Sequence, residues 1–149
     1  MNKTETIGRI GEDNIVEILK LNNIDFYDMR NNFIFKEIKV NCINRDGKPL
    51  NYKYRRKTYT HDFDLKIKNK NVEIKSSSIW KNKVDFSINK NNLKIIDYII
   101  GIVFSDNKEI LFYYLFDKKY FSKYKGLNFN INSFRKLNEK EILNKILNF

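Results

Sequence analysis

Asp62, Asp64, Glu73 and Lys75 are the residues of this chain whose types and spacing fit a reaction best. Phe63, Leu65 and Ile67 alternate with Asp62, Asp64, Lys66 and Lys68. After Asn69-Lys70, Val72 and Ile74 alternate with Glu73 and Lys75. A period of two predicts a hairpin with one apolar and one charged face. A two-residue turn at Asn69-Lys70 sets Asp64 opposite Lys75 and Lys66 opposite Glu73; a turn one residue later sets Lys66 opposite Lys75. Either register keeps Asp62, Asp64, Glu73 and Lys75 on one face, whereas a three-residue loop drives charges onto the buried side. Crowded carboxylates repel unless a cation joins them. A hard divalent ion takes one or two carboxylates plus neutral oxygens, so Asp64, Glu73 and the Ile74 carbonyl are the expected ligands for Mg²⁺, with Mn²⁺ as substitute. Asp62 is the alternative to Asp64. Lys75, next on the same face, is placed to orient an attacking water.

Elements must hold these groups. Ile7, Ile10, Gly11, Ile15, Ile18 and Leu19 recur at three- and four-residue spacing, predicting a helix capped by Thr4 or Thr6 and ended at about Leu21 by Asn22-Asn23. Residues 32–43 are rich in Phe, Ile and Val. Asn44-Arg45-Asp46-Gly47 offers turn chemistry before Leu50, Tyr52 and Tyr54, which reads as a first hairpin. Beyond Ser78 the pattern predicts a short strand over Val84 to Ile88, a helix from Asn89 to about Asp97, and a buried strand from Tyr98 to Phe104. A further strand, Ile110 to Phe116, and an amphipathic helix, Asn138 to Leu147, complete the series. One Pro, five scattered Gly and no repeat leave no candidate linker, so residues 1–149 read as one mixed α/β domain.

The stretch His61-Asp62-Phe63-Asp64 followed by Glu73-Ile74-Lys75 resembles the PD-(D/E)XK nuclease superfamily, whose first acidic motif and E-x-K these match. Tyr59 to Phe63 is also similar to the approach to the first Asp in small phage Holliday-junction resolvases, with His61 in place of their Pro. Gly11-Glu12 matches a helix glutamate that many members set beside the metal. The resemblance implies a restriction-endonuclease-like core of helix, three-strand meander, helix and strand over residues 4–105. A central mixed sheet is flanked by helices, and 106–149 are an elaboration. It implies a Mg²⁺-dependent endonuclease acting on DNA, of restriction, homing or junction-resolving type, with Asp64, Glu73, Lys75 and Glu12 as site residues. Two copies would act together, one site per strand.

Charge agrees with a polyanionic partner. Lys plus Arg number 29 against 18 Asp plus Glu, a formal charge of +11. Codon bias toward Lys would bring Glu with it, yet only 8 Glu occur beside 23 Lys. Arg55, Arg56 and Lys57 precede the acidic strand, and Ser76 and Ser77 follow Lys75; all five are candidates for phosphate contact. Other classes fall away. A zinc site or a multi-histidine phosphohydrolase is ruled out by a single His61 and a single Cys42, and a serine triad lacks a glycine-flanked nucleophile. Cys42 reads as a core residue, unable to form an internal disulfide and suited to a cytoplasmic setting; Trp80 also reads as core. No apolar run is long enough for a membrane span and no secretion signal is evident. The rival to the nuclease is a non-catalytic nucleic-acid-binding module retaining the scaffold, for which Asp64, Glu73 and Lys75 are a solvated strand face.

Overall fold

The computed structural model describes residues 3–30, 34–43, 49–60, 62–88, 93–121 and 127–149, and of 3–6, 34–43 and 49–60 the backbone alone. The chain opens with helix α1 (Lys3–Leu21). It begins ahead of Thr4 and Thr6, so neither caps it, because threonine inside a helix costs well under ~1 kcal/mol and does not stop one. Its end is as expected from the asparagines. Asn23 takes a left-handed φ of 53°, the Ile24 N–H returns to the Leu19 carbonyl at 3.0 Å, and the Asn22 amide donates to the Ile18 carbonyl at 2.7 Å.

Among the described residues nine strands follow: β1 (Phe26–Asp28), β2 (Ile34–Ile43), β3 (Pro49–Thr60), β4 (Leu65–Ile67), β5 (Lys70–Ser78), β6 (Lys83–Phe86), β7 (Tyr98–Phe104), β8 (Ile110–Asp117) and β9 (Leu127–Asn130). Helix α2 (Lys118–Phe121) precedes β9 and α3 (Glu139–Leu147) closes the chain. The central sheet has five strands in the order β1-β4-β5-β7-β8. Its only parallel neighbours are β5 and β7. The fold is therefore mixed α/β around a mixed sheet. Among the described residues, β2 and β3 form a separate two-stranded sheet, as do β6 and β9.

Both faces of the central sheet are covered. On one, Ile15, Ile18 and Leu19 of α1 and Ile142 and Ile146 of α3 bury Val72, Ile74, Ile100, Ile102 and Phe104. On the other, Val84, Phe86, Phe121 and Leu127 bury Ile99, Val103, Tyr114 and Phe116. Glycine is required at the second face. A Cβ on Gly101 would meet the Phe86 ring at 2.7 Å, so the ring occupies the space a side chain would take. Helix α3 is anchored by Asn138, whose side chain accepts from the Glu141 N–H at 2.8 Å while Glu141 returns to the Asn138 N–H at 3.2 Å.

Three expectations are corrected. The β4–β5 turn falls at Lys68-Asn69, both with left-handed φ (48° and 68°), one residue earlier than expected; Leu65 pairs with Val72 and Lys66 with Asn71. Tertiary bonds hold Asn71 in β5: its N–H donates to Asp97 Oδ2 at 2.8 Å, its side chain to the Ile95 carbonyl at 2.7 Å. The same bonds shape the segment before β7. Leu93 to Ile95 form a turn and Asp97 braces Asn71, so no helix reaches Asp97; residues 89–92 lie outside the described residues. Trp80 is 74% exposed, because Lys81 and Asn82 make a left-handed two-residue turn that lifts it off the core; the Lys81 ammonium lies 5.7 Å from its ring. Cys42 lies on β2, its side chain outside the described residues.

Gly101→Ala is expected to cost about 1–3 kcal/mol by overpacking against Phe86. Urea unfolding checks this, and in a double-mutant cycle Phe86→Leu should absorb part of the loss; independent, additive costs would show that the ring does not set the constraint.

Candidate active site

The acidic strand positions come together where β4 begins. The Asp64 N–H donates to the Val72 carbonyl at 3.2 Å, just ahead of the Leu65–Val72 pair at which the β4–β5 register ends, and the Asp64 and Glu73 carboxyls share a hydrogen bond. The register expected from the sequence, which sets Lys66 opposite Glu73, differs from the observed Lys66 with Asn71 by two residues along β5. An even shift preserves the face, so Asp64, Glu73 and Lys75 still stand together.

Asp64 is 1% exposed, and its Oδ2 accepts from the Ile74 N–H at 2.7 Å. Such a buried carboxylate requires partners. Glu73 has a side chain 12% exposed and Lys75 one 29% exposed, with Lys75 Nζ 3.5 Å from Glu73 Oε1. The three groups thus run from the interior to the surface. Burial, then the Asp64 charge, then a hydrogen bond shared with Asp64 push the Glu73 carboxyl up to about 9; Lys75 opposes this. At neutral pH the metal-free pair therefore holds a proton between its two carboxyls.

This geometry removes the bland reading of a solvated face with cross-strand ion pairs. Surface pairs are exposed, and these acids are not. The donor set fits a hard cation: two mutually repelling carboxylates beside a backbone oxygen. The N–H and C=O of a strand residue point to the same edge, so the Ile74 carbonyl, like its N–H, turns toward the place where Asp64 stands. Among the described residues no group of three or more His, Cys, Asp or Glu forms a ready cation cage.

Other predicted residues are placed as follows. Asp62 is half-buried on the bend before Phe63, two residues ahead of Asp64. Glu12 lies on α1, 26% exposed, and accepts from Arg30 Nη1 at 3.3 Å. Its neighbour Gly11 packs directly on β5, since a Cβ there would come within 2.3 Å of Ser76 Oγ. Ser76 faces α1, on the opposite side of β5 from Glu73 and Lys75, and its hydroxyl is buried without a hydrogen bond. Ser77 is on the acidic face, but its hydroxyl accepts from the Asp85 N–H at 3.1 Å and donates to the Ser78 carbonyl at 2.7 Å. Arg55, Arg56 and Lys57 lie on β3 opposite Lys39, Ile38 and Glu37; their side chains, like all of His61, are outside the described residues.

The sequence reading missed Arg30. Its guanidinium binds Asp28 through Nε at 3.0 Å and Nη2 at 2.8 Å, Asp13 at 2.8 Å and Glu12 at 3.3 Å. The Asp28 bonds, against the cost of burial, raise its pKa further, with Asp13 and Glu12 adding to them. The preceding residue, Met29, donates its N–H to the Asp64 carbonyl at 2.9 Å. Arg30 thus ties the Glu12 turn of α1 to the backbone that carries Asp64. Only an arginine just after a short strand signalled it, and no motif marks that.

No family model matches the sequence, and no curated protein is similar to it.

Because the folded pKa of Glu73 exceeds the ordinary value of 4.5, the native state binds the extra proton between about pH 4.5 and 9 and the unfolded chain does not. Stability of the metal-free protein is therefore expected to fall as pH rises through that window. Glu73→Gln, which cannot ionise, should flatten this decline. Thermal melts in EDTA from pH 5 to 9 check it, and an equal slope in the variant would remove Glu73 as the cause.

Proposed function

We propose that the protein is a divalent-cation-dependent endonuclease that hydrolyses phosphodiester bonds in DNA, on a restriction-endonuclease-like core. One observation carries the reading: a buried pair of carboxylates, Asp64 and Glu73, with a lysine on the same face 3.5 Å from Glu73. A binding module has no use for this, since carboxylates repel phosphate and burying them is costly. The order of elements agrees in part. Helix α1 precedes an antiparallel meander of β1, β4 and β5, and the next strand of the sheet, β7, runs parallel to β5. The β2–β3 pair is an insertion into that meander. The crossover here contains β6 and a turn where the core pattern has a helix.

In this reading Asp64, Glu73 and the Ile74 carbonyl hold Mg²⁺ or Mn²⁺, which when bound supplies positive charge to the phosphate as negative charge builds on it. Lys75 donates to the attacking water and aligns it with phosphorus. The water oxygen bonds to phosphorus, the opposite P–O ester bond breaks, and the proton lost by the water is balanced by one taken up by the departing oxygen. Glu12, held by Arg30, supports the site from the helix. Arg55, Arg56 and Lys57 contact the backbone phosphates. A homodimer would bring one site to each strand.

Incubation with supercoiled plasmid and a four-way junction should give cleavage with Mg²⁺ and none with EDTA. Asp64→Asn, Glu73→Gln and Lys75→Ala should each lower the rate by at least about 100-fold, the scale of losing one charge-stabilising group. Cleavage that survives Glu73→Gln or Lys75→Ala would overturn the assignment.

A further inference from the structure

Past Lys75, the strand that carries the acid pair ends in a hairpin with an aromatic tip. Trp80 and Lys83 exchange both backbone bonds, the Trp80 N–H donating to the Lys83 carbonyl and the Lys83 N–H to the Trp80 carbonyl, each at 2.9 Å. Lys81 and Asn82 close the turn between them with left-handed φ of 48° and 59°. A further bond clamps the turn from outside, the Ile131 N–H donating to the Asn82 carbonyl at 2.9 Å. Trp80 therefore stands on a fixed mount.

The ring is turned away from the core. Val84 and Phe86 of β6 are buried in the aromatic cluster, so Lys83, which alternates with them, faces outward, and Trp80, paired directly with Lys83, shares that outward face. Its 74% exposure follows. Cations flank it: the Lys81 ammonium lies 5.7 Å from the ring, and Lys83 is exposed on the same face. Asp85, two residues beyond Lys83, is the one carboxylate between Ser77 and Phe86. A flat apolar ring between two lysines matches a partner that joins a π-face to a negative charge. A nucleotide has both. Within a duplex each base is covered on its two faces by its neighbours, so the ring can stack only on a base that is unpaired.

We propose that Trp80 is a stacking platform for an unpaired base of a nucleic-acid strand, with Lys81 and Lys83 on the phosphates beside that base. Trp80 is five residues past Lys75, no more than about 18 Å along the chain. The platform would hold single-stranded or branched DNA within a few nucleotides of the acid pair. It rests on the nucleic-acid partner of the nuclease reading and does not require hydrolysis.

The chain has one tryptophan, so its emission reports this ring alone. In EDTA, oligothymidylate should quench that emission, while a long blunt duplex and inorganic polyphosphate, which offers charge without bases, should leave it unmoved. Anisotropy of a labelled oligothymidylate gives the affinity of variants. Trp80→Ala should weaken binding at least ~5-fold, the low end of the scale for one lost stacked base, and Trp80→Phe should stay within ~3-fold of the native protein. Lys81→Asn with Lys83→Gln should lower the salt slope by about 1.4, each single-strand phosphate contact contributing ~0.7. Emission unmoved by oligothymidylate, equal quenching by duplex or polyphosphate, or Trp80→Ala binding as tightly as Trp80→Phe removes the platform. Quenching by oligothymidylate in a protein that cuts no DNA keeps the platform and removes the nuclease reading; Mg²⁺-dependent cleavage with the emission unmoved does the reverse.

Discussion

Two carboxylates buried against each other are the constraint around which this molecule is arranged. Asp64 is sealed from solvent and Glu73 nearly so, and like charges in that setting repel strongly. Every neighbouring feature moderates that conflict. The Ile74 N–H binds one carboxylate, Lys75 draws on the other, and a proton is retained between them. A site of this kind does not persist on a surface strand. It needs a second hydrophobic layer, which Phe63, Phe86 and Phe116 provide on the acidic side of the sheet.

The layers have separate duties. Helices α1 and α3 bury the aliphatic face and make the sheet rigid. The aromatic cluster buries the other face up to the edge of the acid pair, where Gly101 lets Phe86 sit next to the strand carrying Lys75. Arg30 joins the layers at the site end, tying three acids from α1 and β1 together. Rigidity on both sides fixes the distance between Asp64 and Glu73 in advance of any ligand.

What could be read from the sequence was whatever local periodicity determines. Tyr98 to Phe104 is apolar throughout and sits as a strand buried on both faces; Ile142, Leu143 and Ile146 mark α3 through their spacing. The shared face of Asp64, Glu73 and Lys75 was legible because a strand's period is two, and it survived an error in register. The register itself was not legible. Either Lys68-Asn69 or Asn69-Lys70 can form the turn, and the choice rests on bonds from Asn71 to Ile95 and Asp97, distant in sequence. The same long-range brace replaced the helix expected to reach Asp97. Trp80 and Arg30 escaped for a related reason: a local turn exposes the one and three separated acids recruit the other, and neither leaves a periodic trace.

The β2–β3 ribbon is an excursion from the central sheet whose ends are already held. Asp28 and Leu65 face each other in adjacent strands of the central sheet, so the chain leaves and re-enters at one spot. Closing such a loop costs little more when it is long than when it is short. Ribbons of other lengths and charge patterns would therefore graft onto the same two anchor points with the acid pair intact. Descent would then alter that excursion without touching the acids, so that the two would diversify at separate rates.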